Sequence, residues 1–131
     1  MNGAEMIRLL IVGDQPGVRK GLLMRLAAEA DFDVIGEAAD GQTALHLATV
    51  LCPDVVLLDV DMPSLDGLVT ASELRSLCPY VSIIMLSFQD DVLTRSLAEQ
   101  AGAAAFVAKC LPAAILLSAI RQVSQARCVL A

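Results

Sequence analysis

The sequence predicts an α/β fold: a single domain in which helices cover both faces of a five-stranded parallel sheet. Three observations predict it. Short apolar runs of strand length alternate with helical patterns five times from end to end. The connections between them are short, with no linker, charge block or low-complexity tail. The chain is also 56% hydrophobic but only 3% aromatic, so its core must be built from Leu, Val, Ile and Ala, as in a buried parallel sheet. A length of 131 residues suits one domain and excludes two of ordinary size.

Leu9-Leu10-Ile11-Val12 is the first strand, and Pro16 opens a helix carrying Val18, Leu22, Leu23, Leu26 and Ala27. The second strand, 32–38, mixes polar with apolar residues, which places it at a sheet edge. Asp40-Gly41-Gln42-Thr43 then starts a helix that carries Ala44, Leu45, Leu47 and Ala48. Pro53-Asp54 break it before the third strand, Val55-Val56-Leu57-Leu58, and residues 68–77 form the third helix, stopped by Cys78-Pro79. Residues 81–86 are the fourth strand; an amphipathic helix follows over 91–101 and Gly102 closes it. Ala104 to Ala108 make the fifth strand, and Pro112 sits in the first turn of a last helix ending near Gln125. The residues after it, Ala126 to Ala131, hold no output module, so the expectation is one domain over 1–131.

Charge and composition exclude several classes. A net charge of −6, a pI near 4.5 and nine Lys and Arg in all argue against nucleic-acid binding by this domain itself. Four aromatics give no stacking platform. Cys52, Cys78, Cys110 and Cys128 are widely spaced, without a Cys-x-x-Cys pair, and read as reduced core or helix-end thiols rather than zinc ligands. No window approaches the roughly 18 apolar residues of a spanning helix, and the N-terminus has no leader pattern. A soluble cytoplasmic protein without a membrane partner is expected.

Chemistry is expected where open parallel sheets place their ligands, at the C-terminal ends of the strands. Four polar residues fall there: Asp14 after the first strand, Asp59 on the third, Ser87 on the fourth and Lys109 on the fifth. Two carboxylates can share a hard divalent cation, a lysine can neutralise a phosphate oxygen, and a serine hydroxyl can hydrogen-bond another. With Asp59 as a nucleophile able to form an acyl phosphate, the set makes a phosphoryl-transfer pocket. Each residue alone has an ordinary explanation: Asp14 as the cap of the helix Pro16 opens, Lys109 as a solvated charge, Ser87 as a turn hydroxyl. The joint occurrence, with Pro63 and Asp66-Gly67 placing a tight loop beside Asp59, favours function.

These residues resemble the receiver domain of bacterial two-component response regulators over nearly the whole chain. The Asp-x-Asp-Met-Pro-x-x-Asp-Gly segment from Asp59 to Gly67, Leu86-Ser87, and Ala101-Gly102-Ala103 through Phe106 to Lys109 carry the resemblance at matching spacings. Gln15 to Leu22 is similar to the opening of the subfamily with a C-terminal helix-turn-helix DNA-binding domain. The resemblance implies a flavodoxin-like (CheY-like) sheet of order 2-1-3-4-5. It further implies that Asp59 accepts a phosphoryl group from a sensor histidine kinase, with Mg²⁺ or Mn²⁺ held by Asp14, Asp59 and the backbone carbonyl of Asp61. Lys109 would pair with the phosphoryl oxygens, Ser87 would move toward them, and Phe106 would turn into the released space. That change would alter the surface of the fourth helix, fifth strand and fifth helix to control an output such as transcription. Homodimerisation on activation is implied as a possibility, and the domain would assist its own phosphorylation and dephosphorylation without being a conventional enzyme.

Two departures stand out. Gly13-Asp14 replaces the usual pair of adjacent acids, which predicts weaker Mg²⁺ affinity and slower phosphorylation. Cys110 follows Lys109 where Pro or Asp is more usual, and a loop or core thiol is expected there. Two other functions compete. Asp59-Val60-Asp61 is similar to the nucleophile loop of haloacid-dehalogenase-type phosphatases, with Asp61 as general acid and Asp90-Asp91 holding metal. Gly13 alone supports a phosphorylation-independent pseudo-receiver that acts as an interaction module.

Overall fold

The computed structural model describes residues 6–61, 67–89 and 91–130, with side chains to residue 125. Strands and helices alternate throughout: β1 (Ile7–Val12), α1 (Pro16–Ala27), β2 (Phe32–Ala38), α2 (Gly41–Leu51), β3 (Val55–Asp59), α3 (Gly67–Leu77), β4 (Ser82–Ser87), α4 (Val92–Gln100), β5 (Ala105–Ala108) and α5 (Ala113–Leu130). All strand pairs are parallel and the order is β2-β1-β3-β4-β5. This is the expected topology.

Alternation along each central strand builds two apolar layers. Leu10, Val12, Val56, Leu58, Ile83 and Met85 pack with Ala44 and Ala48 of α2, Ala71 and Leu74 of α3, and Ala98 of α4. The alternate residues Leu9, Ile11, Val55, Leu57, Ile84 and Leu86 pack with Leu26 of α1 and Leu116, Leu117 and Ile120 of α5. Every residue of β3 and β4 is buried, whereas β2 is half-exposed, as its mixed composition predicts for an edge. Small alanines on the α2–α4 side let the helices approach the sheet closely, which compensates for the shortage of aromatics.

The helix ends follow local chemistry. Asp40 caps α2 by accepting the Thr43 N–H at 2.8 Å, and Asp91 caps α4 by accepting that of Thr94 at 2.7 Å. These N–H bonds hold both carboxyls below the usual carboxylate range. Gly102 ends α4 with φ of 99°, a conformation L side chains rarely adopt. The α1 cap position belongs to Gln15, with no side-chain bond, and Pro16 supplies the preset φ. Asp14 is therefore not the cap that its position allowed.

Most boundaries that differ from expectation shift by a residue, and those of β1, β4 and α5 have identifiable causes or consequences. β1 begins at Ile7 because Asp31 and Asp54 anchor Ile7 and Arg8: the Ile7 N–H reaches the Asp31 carbonyl at 2.8 Å and the Arg8 N–H reaches Asp54 Oδ2 at 2.9 Å. β4 extends through Ser87, making the hydroxyl part of the strand. α5 continues to Leu130, since no Gly or Pro between 121 and 130 interrupts it.

Gly67 is buried at the start of α3, and a Cβ built on it would stand 2.8 Å from Val60 Cα. Backbone cannot yield as a flexible side chain does. Gly67→Ala is expected to destabilise the fold by about 2 kcal/mol, read as a lowered midpoint in urea unfolding; an unchanged midpoint would count against this close approach.

Candidate functional site

Asp59 ends β3, opposite Leu86 of β4, and is only 6% exposed. A carboxylate so placed requires partners. Its Oδ1 accepts the Asp61 N–H at 2.8 Å and lies 2.7 Å from Lys109 Nζ. Lys109 is positioned by the sheet itself: its N–H reaches the Ser87 carbonyl at 2.8 Å, continuing the β4–β5 ladder one residue past β5. The ammonium also approaches Asp61 Oδ2 at 3.1 Å and lies over the Phe88 ring, 4.7 Å from its centre.

Ser87 Oγ donates to Asp61 Oδ1 at 3.0 Å and accepts the Gln89 N–H at 2.9 Å. The Phe88 N–H reaches Asp61 Oδ2 at 2.9 Å. Partial burial pushes the Asp61 carboxyl up, but the Phe88 N–H, Lys109 and Ser87 together outweigh it and hold the group below the usual carboxylate range.

Asp59, Ser87 and Lys109 thus meet in one network. The side chain of Asp61 is its hub, whereas the receiver resemblance assigned a role only to its backbone carbonyl and the phosphatase alternative made the side chain a general acid. The available signal was a second acid two residues beyond a strand-ending aspartate, where the turn folds it back over the edge. Asp14 is half-buried at the end of β1, outside this network among the described residues. Gly13 brings β1 close: a Cβ there would lie 3.6 Å from Asp59 Cβ and 3.7 Å from Asp59 Oδ2. Arg19 secures that turn, donating to the Gly13 carbonyl at 2.6 Å and pairing with Glu37 at 3.4 Å.

Phe106 borders a cavity of about 160 Å³ that Asp61, Ser87, Met85 and Leu97 also line. The Arg95 guanidinium lies over the Phe106 ring, 4.8 Å from its centre. Pro63, Asp66 and Asp90 lie outside the described residues, as does the side chain of Cys128. Cys110 and Cys52 are exposed and Cys78 is buried.

Asp59 and Asp61 set two carboxylates against the ammonium of Lys109, and Asp14 follows Gly13 on the neighbouring strand end. That excess of formal negative charge, in hard oxygen donors, fits a divalent cation such as Mg²⁺. No three His, Cys, Asp or Glu side chains form a ready metal cage among the described residues. A cation here would need backbone oxygen and water as well, which is the habit of Mg²⁺.

A parallel sheet of this order, with an aspartate, a lysine and a serine hydroxyl joined at its C-terminal edge, defines a receiver-type domain. Residues 9–121 match the family described as response regulator receiver domain, and the chain belongs to that family. It is 40% identical over 121 residues to the transcriptional regulatory protein LiaR of Bacillus subtilis (strain 168), covering 92% of this chain and 57% of LiaR. The fold is similar to the signal receiver domain of the response regulator NarL from Mycobacterium tuberculosis, with a TM-score of 0.86, 32% identity, and 92% and 98% of the two chains covered. It is also similar to a chain of the CheX–CheY–BeF₃–Mg²⁺ complex from Borrelia burgdorferi, with a TM-score of 0.81, 28% identity, and 89% and 88% covered.

The chain is thus a receiver domain of two-component signalling, and it spans little more than half the length of the curated relative LiaR. The phosphatase alternative is not favoured, since the family match over residues 9–121 is to receiver domains. Among the described residues no helix is long and apolar enough to cross a membrane.

Proposed function

We propose that Asp59 is the phosphoacceptor of this receiver. The observation that carries this reading is a nearly buried carboxylate held 2.7 Å from Lys109 at the C-terminal edge of the sheet. An oxygen of Asp59 attacks the phosphorus of a phosphohistidine on a sensor kinase; the new P–O bond forms as the P–N bond breaks, and the histidine nitrogen leaves with the bond pair. Lys109 turns from the carboxylates to the transferred oxygens. Asp14, Asp59 and the Asp61 carbonyl would hold Mg²⁺, which supplies charge neutralisation for the phosphoryl group when bound.

Ser87 and Phe106 then relay the state. The Ser87 hydroxyl turns to a phosphoryl oxygen, and Phe106 occupies space in the cavity that both residues border. The output surface lies over α4, β5 and α5, where Val92, Leu93 and Ile115 are exposed. LiaR is a transcriptional regulator, which supports control of transcription as the output and a DNA-binding partner module. Val18, Phe88 and Leu111 are exposed along an apolar groove that Lys109 also lines, a surface open to a protein partner such as the kinase.

Incubation with acetyl phosphate and Mg²⁺ is expected to add one phosphoryl group to the wild type and none to Asp59→Asn, read by intact mass. An unmodified wild type at saturating Mg²⁺ would instead favour the phosphorylation-independent interaction module that Gly13 suggests.

A further inference from the structure

We infer that the Asp61 carboxylate is an internal latch: before phosphorylation it occupies the hydrogen-bond donors that a phosphoryl group on Asp59 needs. The inference rests on Asp59 being the acceptor and goes beyond it. Three donors of different origin converge on this one side chain: the Ser87 hydroxyl at 3.0 Å, the Phe88 N–H at 2.9 Å and the Lys109 ammonium at 3.1 Å. Its own N–H meanwhile grips Asp59 Oδ1 at 2.8 Å, so the two carboxylates stand side by side above the same strand ends.

A phosphoryl group is an anion whose oxygens seek such donors, and a hydroxyl, a backbone N–H and an ammonium make a complementary set. In the unphosphorylated chain a carboxylate with two oxygens satisfies them instead. The donors therefore need not wait in water, but each must leave Asp61 before it can serve the phosphoryl group. Asp61 stabilises the resting arrangement and leaves the product arrangement without that benefit, which is what a differential population shift requires. Lys109 is shared already, 2.7 Å from Asp59 and 3.1 Å from Asp61, so its transfer is a short pivot. Ser87 and the Phe88 N–H are held by Asp61 itself, and they carry most of the latch.

The test compares wild type, Asp61→Ala and Asp61→Asn at saturating Mg²⁺, with acetyl phosphate varied and the adduct followed by intact mass. Saturation removes any difference in metal affinity from the comparison. Asp61→Ala is expected to raise the maximal phosphorylation rate roughly fivefold or more. Asp61→Asn, whose one amide oxygen can still accept the Phe88 N–H while its NH₂ turns to the Ser87 oxygen, loses the attraction for Lys109 and should fall between. The ¹H–¹⁵N resonance of Phe88 gives a readout that a merely structural role would not move in this way. In unphosphorylated Asp61→Ala it should shift upfield, as an N–H does on losing a carboxylate partner, and in Asp61→Asn it should shift less. An adduct on wild type with equal or slower rates in both folded variants would overturn the latch and leave the acceptor intact. No adduct on any of the three would remove the acceptor assignment, and the latch with it.

Discussion

Lys109→Met is expected to slow phosphorylation from acetyl phosphate by about a hundredfold or more, the scale of losing one preorganised charge at a transferring group. Methionine keeps an unbranched apolar stem and removes the ammonium together with its contact to the Phe88 ring. Two effects then coincide. The transferred oxygens lose the cation that balances their charge, and Asp59 and Asp61 lose the group that lies 2.7 Å and 3.1 Å from them. Because the Lys109 and Asp59 side chains are only 12% and 9% exposed, removing one partner strands a carboxylate in a poorly solvated place. A stability loss of about 3 kcal/mol is expected without divalent cation. Added Mg²⁺ should recover part of that stability but little of the rate, because it can offset the carboxylates without reproducing the Lys109 contact. Thermal unfolding with and without Mg²⁺, beside the rate, separates the two effects. A variant phosphorylated at the wild-type rate would remove Lys109 from the chemistry.

Gly13→Asp is expected to tighten Mg²⁺ binding about tenfold, equivalent to about 1.4 kcal/mol. The position has room: an added Cβ meets Asp59 Cβ at 3.6 Å and Arg19 Cγ at 3.7 Å, both ordinary contacts. The new carboxylate points from the same turn that carries Asp14, toward the edge where Asp59 stands. In the absence of metal it adds a like charge to an acidic edge, so the metal-free variant should be less stable than wild type. In Mg²⁺ the order should narrow or reverse. Titration calorimetry measures the affinity directly. No gain in affinity would mean that Gly13 does not weaken metal binding, counting against the expectation drawn from the missing acid.

Much of this fold could be read from the chain because each element carries its own periodicity and its own stop. The buried run from Val55 to Asp59, the polar-flecked edge strand from Phe32 to Ala38, and the caps at Asp40 and Asp91 all follow from local residue types. The end of α5 was not legible, because Gln125 marks a weakening of the apolar pattern and not a break in the backbone. At the site, the spacing brought Asp59, Ser87 and Lys109 to one edge, since strand ends in a parallel sheet share it. The spacing could not show which donor turns to which acceptor. The Phe88 N–H, which every residue but proline possesses, leaves no trace in the sequence, and the Asp61 side chain was hidden behind its own carbonyl. Asp14 illustrates the converse: a position that permits capping was left free of it because Pro16 needs no side-chain cap to begin a helix.

Ser87 is fixed by its backbone and free only at its tip. Its carbonyl is committed to Lys109 across the sheet, so the residue can answer a change in the pocket by turning about one bond, a motion intrinsically complete in nanoseconds. That single rotation has a cost at a distance, because the same oxygen accepts the Gln89 N–H at 2.9 Å. When the hydroxyl swings away, the peptide leading toward α4 loses its anchor. Under the proposed relay, what the helix would receive is a tether let go, and the pace of signalling would be set by the arrival and departure of phosphorus, not by the side chain that reports it.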